Sequence, residues 1–451
     1  MAADAPPGGT VVVHMQAPLH SGRGFASLDP AASSIRIFDD RGSETSRVAT
    51  PGLDGPAGLH WLESDAGVVW WDLDRVLISA VPPNGPPRTA FEVQQPDAAG
   101  PPLAIEDVRV GEGGLLVVSQ TCGRGVVRRR ATFVHLDGAR VVGTTDLSPW
   151  AGERLVAATA LSDGRVVLAV NDLEDLEAAS FQCKLSARST HHSAPSSASK
   201  QCWYELKRSR FGASRFRVLR IHRPGRVEVQ SEHGCPTRSC GVRNWGVGRE
   251  TIVVDSGGEL LRLRSRLDPG PLMSSAGGVW TRLGRGNARD SRGLHSLWVH
   301  ERLLLYGERH RVTLHDLGGG QDRHWDTDAP IVSARFSERG DVLVVTSRRQ
   351  IVLVDVAEMR AHEALELLDV PAVFDARYER VAFNDATLLP NGTLLFDVVG
   401  LTSARRFPSS KTLWVGRGRE GCEGPETRTR FTDNLTVSEL RRLAPRFPAR
   451  G

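Results

Sequence analysis

Apolar residues in this chain recur at every second position over short runs, and the runs come in sets of four, one set about every 40–50 residues. The clearest set spans Pro330 to Pro371. There Val332, Ala334 and Phe336 alternate with Ser333 and Arg335, and the turn Glu338-Arg339-Gly340-Asp341 leads into the apolar run Val342 to Val345. A period of two with turn residues at the breaks specifies half-buried strands joined by hairpins, not the 3.6-residue period of a helix. Four short strands cannot bury their own apolar faces, so successive sets have to pack on one another.

Successive sets cover about residues 10–50, 56–97 and 103–148. The fourth begins with RLVAATALSDGRVVLAV, is interrupted from Asn171 to Ser214, and resumes with FRVLRIH and RVEVQSE. Four more begin near Val242, Gly293, Ile331 and Arg380. That makes eight units, or seven if the N-terminal strands complete the last one and so remove a free sheet edge. Within 330–356, the strand ending Phe336-Ser337, the turn at Gly340, the strand ending Thr346-Ser347 and the run Ile351-Val352-Leu353-Val354-Asp355 form a repeat grammar. Its third-strand ending returns as SIRIFDD at 34–40 and RVTLHDL at 311–317. This grammar resembles that of the WD40-like β-propellers. The Gly-His dipeptide of those repeats is absent, and Trp71-Asp72 and Trp325-Asp326 fall away from the matching place. The resemblance implies an all-β fold, a β-propeller of four-stranded antiparallel blades, over a single domain at 10–436. It leaves a flexible N-terminus at 1–9, an insertion at 171–214 and a C-terminal tail at 437–451, and it implies no activity.

Composition narrows the partners. Apolar residues make up 40% and charged residues 24% of the 451, and no run approaches the roughly 18 apolar residues that cross a bilayer, so no membrane insertion is expected. The net charge of +4 is spread through most units, which speaks against nucleic acid as a partner. From Lys200 to Arg226, however, cations interleave with Trp203, Tyr204, Phe211 and Phe216. That stretch reads either as a surface for phosphates and bases or as a strand pair with a solvated arginine face and an aromatic core face. Only four lysines occur among the 57 basic residues, the mark of GC-rich bacterial coding.

The N-terminal MAADAPPGGT has neither the charged nor the apolar region of a secretory signal. The six cysteines pull the other way: Cys183 with Cys202, and Cys235 with Cys240, are locally closable pairs, while Cys122 and Cys422 lie in different units. Paired cysteines would place the protein in the periplasm or outside the cell with a signal missing, and reduced thiols would place it in the cytoplasm.

No reaction signature stands out. The chain lacks a G-x-S-x-G elbow, a P-loop and a dinucleotide fingerprint, and GRGNARDSRG at 284–293 follows no strand–turn–helix unit. His191-His192 near Cys183 and Cys202, and His233 with Cys235 and Cys240, lack a compact zinc spacing, so neither a metal nor a cofactor is expected. Acid pairs such as Asp72 with Asp74 read as surface pairs. Asn391-Gly-Thr393 and Asn434-Leu-Thr436 satisfy the glycosylation rule, the first reading equally as a hairpin turn. Histidines gather in the sixth unit at His295, His300, His310, His315 and His324. In a propeller the first strand of each blade lines the central channel, which makes His60, Glu106, Asn244 and His295 the candidate ligand-binding residues at its mouth. The expectation is a non-catalytic binding or scaffold protein that presents a loop-rich face to a protein or glycan. The alternative is an extracytoplasmic hydrolase or lyase with its site at the channel mouth under the 171–214 insertion.

Overall fold

In the computed structural model every described element is a β-strand. The described residues are 11–12, 16–18, 24–29, 34–39, 43–50, 58–62, 66–94, 103–121, 128–161, 163–172, 212–235, 240–248, 251–256, 259–264, 279–285, 296–300, 303–307, 310–317, 321–337, 341–346, 350–366, 380–388 and 394–401. No helix among them is long and apolar enough to cross a membrane. The residues fall into two units, one of 1–94, 138–140 and 293–451, the other of 95–137 and 141–292.

The first unit opens with β1 (Val11–Val12) and two meanders. These are β2 (Gln16–Pro18), β3 (Gly24–Asp29), β4 (Ser34–Asp39) and β5 (Glu44–Ala49), then β6 (Gly58–Trp61), β7 (Gly67–Trp71), β8 (Arg75–Ala80) and β9 (Arg88–Glu92). The second unit holds β10 (Leu103–Gly111), β11 (Gly114–Thr121), β12 (Arg129–Asp137) and β13 (Arg140–Asp146). They are followed by β14 (Glu153–Ala160), β15 (Arg165–Asp172), the short β16 (Gly212–Ala213), β17 (Arg215–Arg223) and β18 (Arg226–Gly234). The unit ends with β19 (Cys240–Gly248), β20 (Thr251–Ser256), β21 (Glu259–Arg264) and β22 (Val279–Arg285). The first unit then resumes with β23 (Ser296–His300), β24 (Leu303–Gly307), β25 (Arg311–Asp316) and β26 (Arg323–Asp326). It closes with β27 (Ile331–Phe336), β28 (Val342–Thr346), β29 (Gln350–Val354) and β30 (Ala361–Glu366), then β31 (Arg380–Leu388) and β32 (Leu394–Leu401).

Each set pairs in sequence order, as a local hairpin grammar dictates. The β10–β13 and β14–β18 meanders share one sheet through a single bridge, Arg129 to Leu155. β16 pairs with β19, and β1 lies parallel to β32, with Val11 opposite Leu395.

Burial follows strand position. The second strands β7 and β28 are buried along their whole length, and β11 and β15 in all but their last residue, so both faces are covered and the sequences read as continuous Val and Leu. The fourth strands β5, β9, β13 and β26 alternate with exposed residues. Packing sits between neighbouring sheets: Ile35 and Ile37 with Val68 and Trp70, and Leu305 and Leu314 with Ala334, Val344 and Val354.

The repeat grammar has a physical basis at its turns. The Asp39 carboxylate accepts the Ser43 N–H at 2.8 Å, and that of Asp355 accepts the Ala357 and Glu358 N–H groups at 2.7 and 2.9 Å. In the β27–β28 turn the Asp341 N–H donates to the Ser337 hydroxyl at 3.1 Å. A register shift recurs between first and second strands, between Ile105 and Asp107, Leu155 and Ala157, Ile331 and Ser333, and Phe383 and Asp385. Such a bulge bends the strand and re-aims the skipped side chain.

Candidate functional site

Two of the channel-mouth candidates are engaged within their own sheets. His60, in β6, stacks on Trp71 with ring centroids 5.2 Å apart, and Gly58 lies so flat on the same indole that a Cβ there would come within 1.9 Å of it. Glu106 is the bulge residue of β10 and receives both Nε and Nη2 of Arg129, at 2.5 and 2.8 Å. Asn244 lies in β19. His295 lies outside the described residues, as do His191, His192, Cys183, Cys202, Cys122, Cys422, Asn391, Asn434 and the segments 1–9, 173–211 and 437–451. In the sixth set, His310 Nδ1 hydrogen-bonds the Thr327 carbonyl at 3.1 Å and His315 pairs with Asp322. Cys235 and Cys240 form a disulfide across the link from β18 to β19, which takes both sulfurs away from any metal set with His233. Among the described residues no group of three His, Cys, Asp or Glu side chains is arranged to hold a metal ion.

The densest polar constellation lies elsewhere, at one end of the β14–β18 meander. Glu153 opens β14 and stands opposite Asp172, the last residue of β15; Arg215 opens β17, and Arg217 stands opposite Glu232 near the end of β18. Antiparallel pairing therefore delivers all five to the end at which the 173–211 segment leaves and returns. Arg217 uses every edge of its guanidinium: Nη1 and Nη2 donate to Glu153 at 3.1 and 3.0 Å, and Nε donates to Glu232 at 2.8 Å. Arg215 bridges Glu153 at 3.1 Å, Glu232 at 3.7 Å and Asp172. The Arg217 and Glu153 side chains are only 2% and 4% exposed, whereas Arg215, Asp172 and Glu232 are 32%, 48% and 29% exposed.

Over this network sits Trp150. Its ring lies 3.5 Å from the Arg217 guanidinium carbon, yet the residue is 55% exposed. A tight turn holds it there. The Glu153 N–H donates to the Trp150 carbonyl at 3.0 Å, the Trp150 N–H donates to the Glu153 carboxylate at 3.0 Å, and Gly152 supplies the positive φ of 85° that the turn requires.

Burial by itself would raise the Glu153 carboxyl, but the hydrogen bonds from Arg217 and from the Trp150 N–H, with the charges of Arg217 and Arg215, outweigh it and hold the carboxyl below its usual range. Burial would likewise lower Arg217, and Glu153 with Glu232 outweigh that and raise it. Glu153 is thereby favoured as the anion and Arg217 as the cation of a buried pair. Together they hold one face of an indole over a network that also contains half-exposed Asp172, Glu232 and Arg215.

On the strand-pair reading of Lys200–Arg226 the arginines form a solvated face, and Arg217 departs from it: it is buried because two carboxylates satisfy it through three hydrogen bonds. Phe216 is buried as the aromatic-core reading requires, tilted against Trp245 with centroids 6.2 Å apart. Trp203, Tyr204 and Phe211 lie outside the described residues. The signal for the site was faint: an arginine among Val and Leu at a core register, and a Pro-Trp-Ala-Gly-Glu turn ahead of β14.

No protein-family model matches this chain. No curated protein does either. Solved structures do. The dihydro-heme d1 dehydrogenase NirN in complex with DHE is similar at a TM-score of 0.50 and 11% identity, over 86% of this chain and 73% of that one. Saccharomyces cerevisiae Sqt1 gives 0.49 at 7% identity, over 80% of this chain and 88% of that one. The C-terminal WD40 domain of Sif2 gives 0.46 at 10% identity, over 89% and 95%. At such identities the likeness is one of fold, and with the recurrent antiparallel meanders it makes this an all-β protein of β-propeller architecture.

Proposed function

We propose that this protein is a binding module that engages a protein or glycan partner at the end of the β14–β18 meander where Trp150 stands. The observation that carries this reading is an indole 55% exposed and yet pinned by a guanidinium 3.5 Å below it. An aromatic that is already immobile gives up little side-chain entropy on binding, which is why tryptophan and arginine dominate binding hot spots. Val142 and Val227 are the other large apolar residues exposed among the described ones, and neither is an aromatic. The Cys235–Cys240 disulfide supports a place in an oxidising compartment.

Screening wild type and Trp150→Ala against a glycan array and a peptide display library tests the reading. Binders selected by wild type and lost in the variant are the expected result. Binders that the variant retains would move the site away from Trp150.

A further inference from the structure

We infer that the Trp150 platform is a subsite for a neutral sugar ring, a pyranose stacked by its C–H face on the indole with its hydroxyls at the surrounding charged groups; this rests on the binding reading above. A protein hot spot is an anchor in a fully desolvated pocket, walled by contacts that exclude water. The network under Trp150 is different: half-exposed Asp172, Arg215 and Glu232 are joined to Arg217 directly or through Glu153, and exposed Asp146 ends β13 four residues upstream of the indole. These groups stay hydrated, and dehydrating them against an apolar side chain would cost more than the contact returns.

A cationic partner fits poorly as well. One face of the indole already holds Arg217, whose guanidinium draws the ring's electron density inward and weakens the pull of the outer face on a second cation. An anionic partner would meet three carboxylates, Glu153, Asp172 and Glu232, against two guanidiniums. A neutral ligand that is apolar on its face and rich in donors and acceptors at its edge avoids all three costs. Pyranose sugars have that form. Their hydroxyls donate to the carboxylates and accept from Arg215, so that neighbouring hydroxyls find both kinds of partner in the Arg215–Asp172 and Arg215–Glu232 pairs.

The test uses the full chain and neutral hexaoses of glucose, xylose, mannose and N-acetylglucosamine, followed by calorimetry, with a galacturonate hexaose and a poly-lysine peptide as charged controls. The expected result is binding of at least one neutral hexaose, weakened about tenfold or more by Trp150→Ala and about threefold or less by Trp150→Phe. Asp172→Asn, on a half-exposed side chain, is expected to weaken it severalfold. If no neutral hexaose binds more tightly than about 10 mM, the sugar subsite is overturned. A displayed peptide that binds in a Trp150-dependent way would overturn it too, while leaving the binding face in place. Hexaose binding that survives Trp150→Ala with an unchanged melting curve would overturn both.

Discussion

The β27–β30 and β14–β18 meanders are the same object up to a point. Both carry the first-strand bulge, so their registers align without ambiguity: Leu155 opposite Val170 corresponds to Ile331 opposite Thr346. One more step across, Arg215 corresponds to Gln350 and Arg217 to Val352. In the first unit that interior position is a valine 5% exposed, and in the second it is an arginine as deeply buried. The β14–β18 meander also runs two residues further at this end, to Glu153 opposite Asp172. Of the added residues Glu153 neutralises the arginine, together with Glu232 from β18. Extending the ladder by two pairs thus puts a charged platform where the β27–β30 meander has an apolar strand end.

Moving the charge without its partners should break the comparison most completely. Val352→Arg places a guanidinium where Val344 stands opposite and no Glu153 equivalent reaches, and we expect a loss of more than about 4 kcal/mol in urea unfolding, or no soluble protein. The reverse exchange, Arg217→Val, leaves the buried Glu153 with only Arg215 and the Trp150 N–H and is expected to cost about 3–5 kcal/mol, whereas Arg217→Val with Glu153→Leu should recover most of that. If the single and double variants unfold alike, the network is not a coupled unit. Gly152→Ala forces a side chain into the positive-φ turn under Trp150 and should cost about 1–2 kcal/mol, a cost with no counterpart ahead of β27, where residues 327–330 have no positive φ.

The smallest effect is in pH. Because the folded Glu153 carboxyl titrates below its unfolded counterpart, its contribution is complete above the usual glutamate range and is lost as pH falls through the folded value. Unfolding free energies measured between neutral and acid pH should therefore show a shallower acid loss in the Glu153→Leu, Arg217→Val double variant than in wild type. Equal slopes would mean that Glu153 carries no share of it.

What was legible in the sequence was whatever is local. Hairpin order, the buried second strands and the Asp39 and Asp355 turns all follow from residues within a few positions of one another. The platform joins Glu153 to Arg217, 64 positions away, and Arg217 to Trp150 across a long insertion. An arginine in an alternating strand reads as solvated unless its partners are in view, which is why β17 was misjudged on that residue. His60 and Glu106 were singled out by strand position alone; position does not reveal that Trp71 and Arg129 take them up.

One further feature bears on how the chain reaches its fold. Every meander can form as soon as its own few dozen residues are available, because its partners are adjacent in sequence. Among the described pairings the β1–β32 ladder is the long-range one, since Val11 waits for Leu395. Of the described strands β1 would leave the ribosome first and β32 last, so this ladder closes only after the other described strands have been made. A fusion or tag that stiffens the chain just before Val11 should therefore slow maturation without altering any meander.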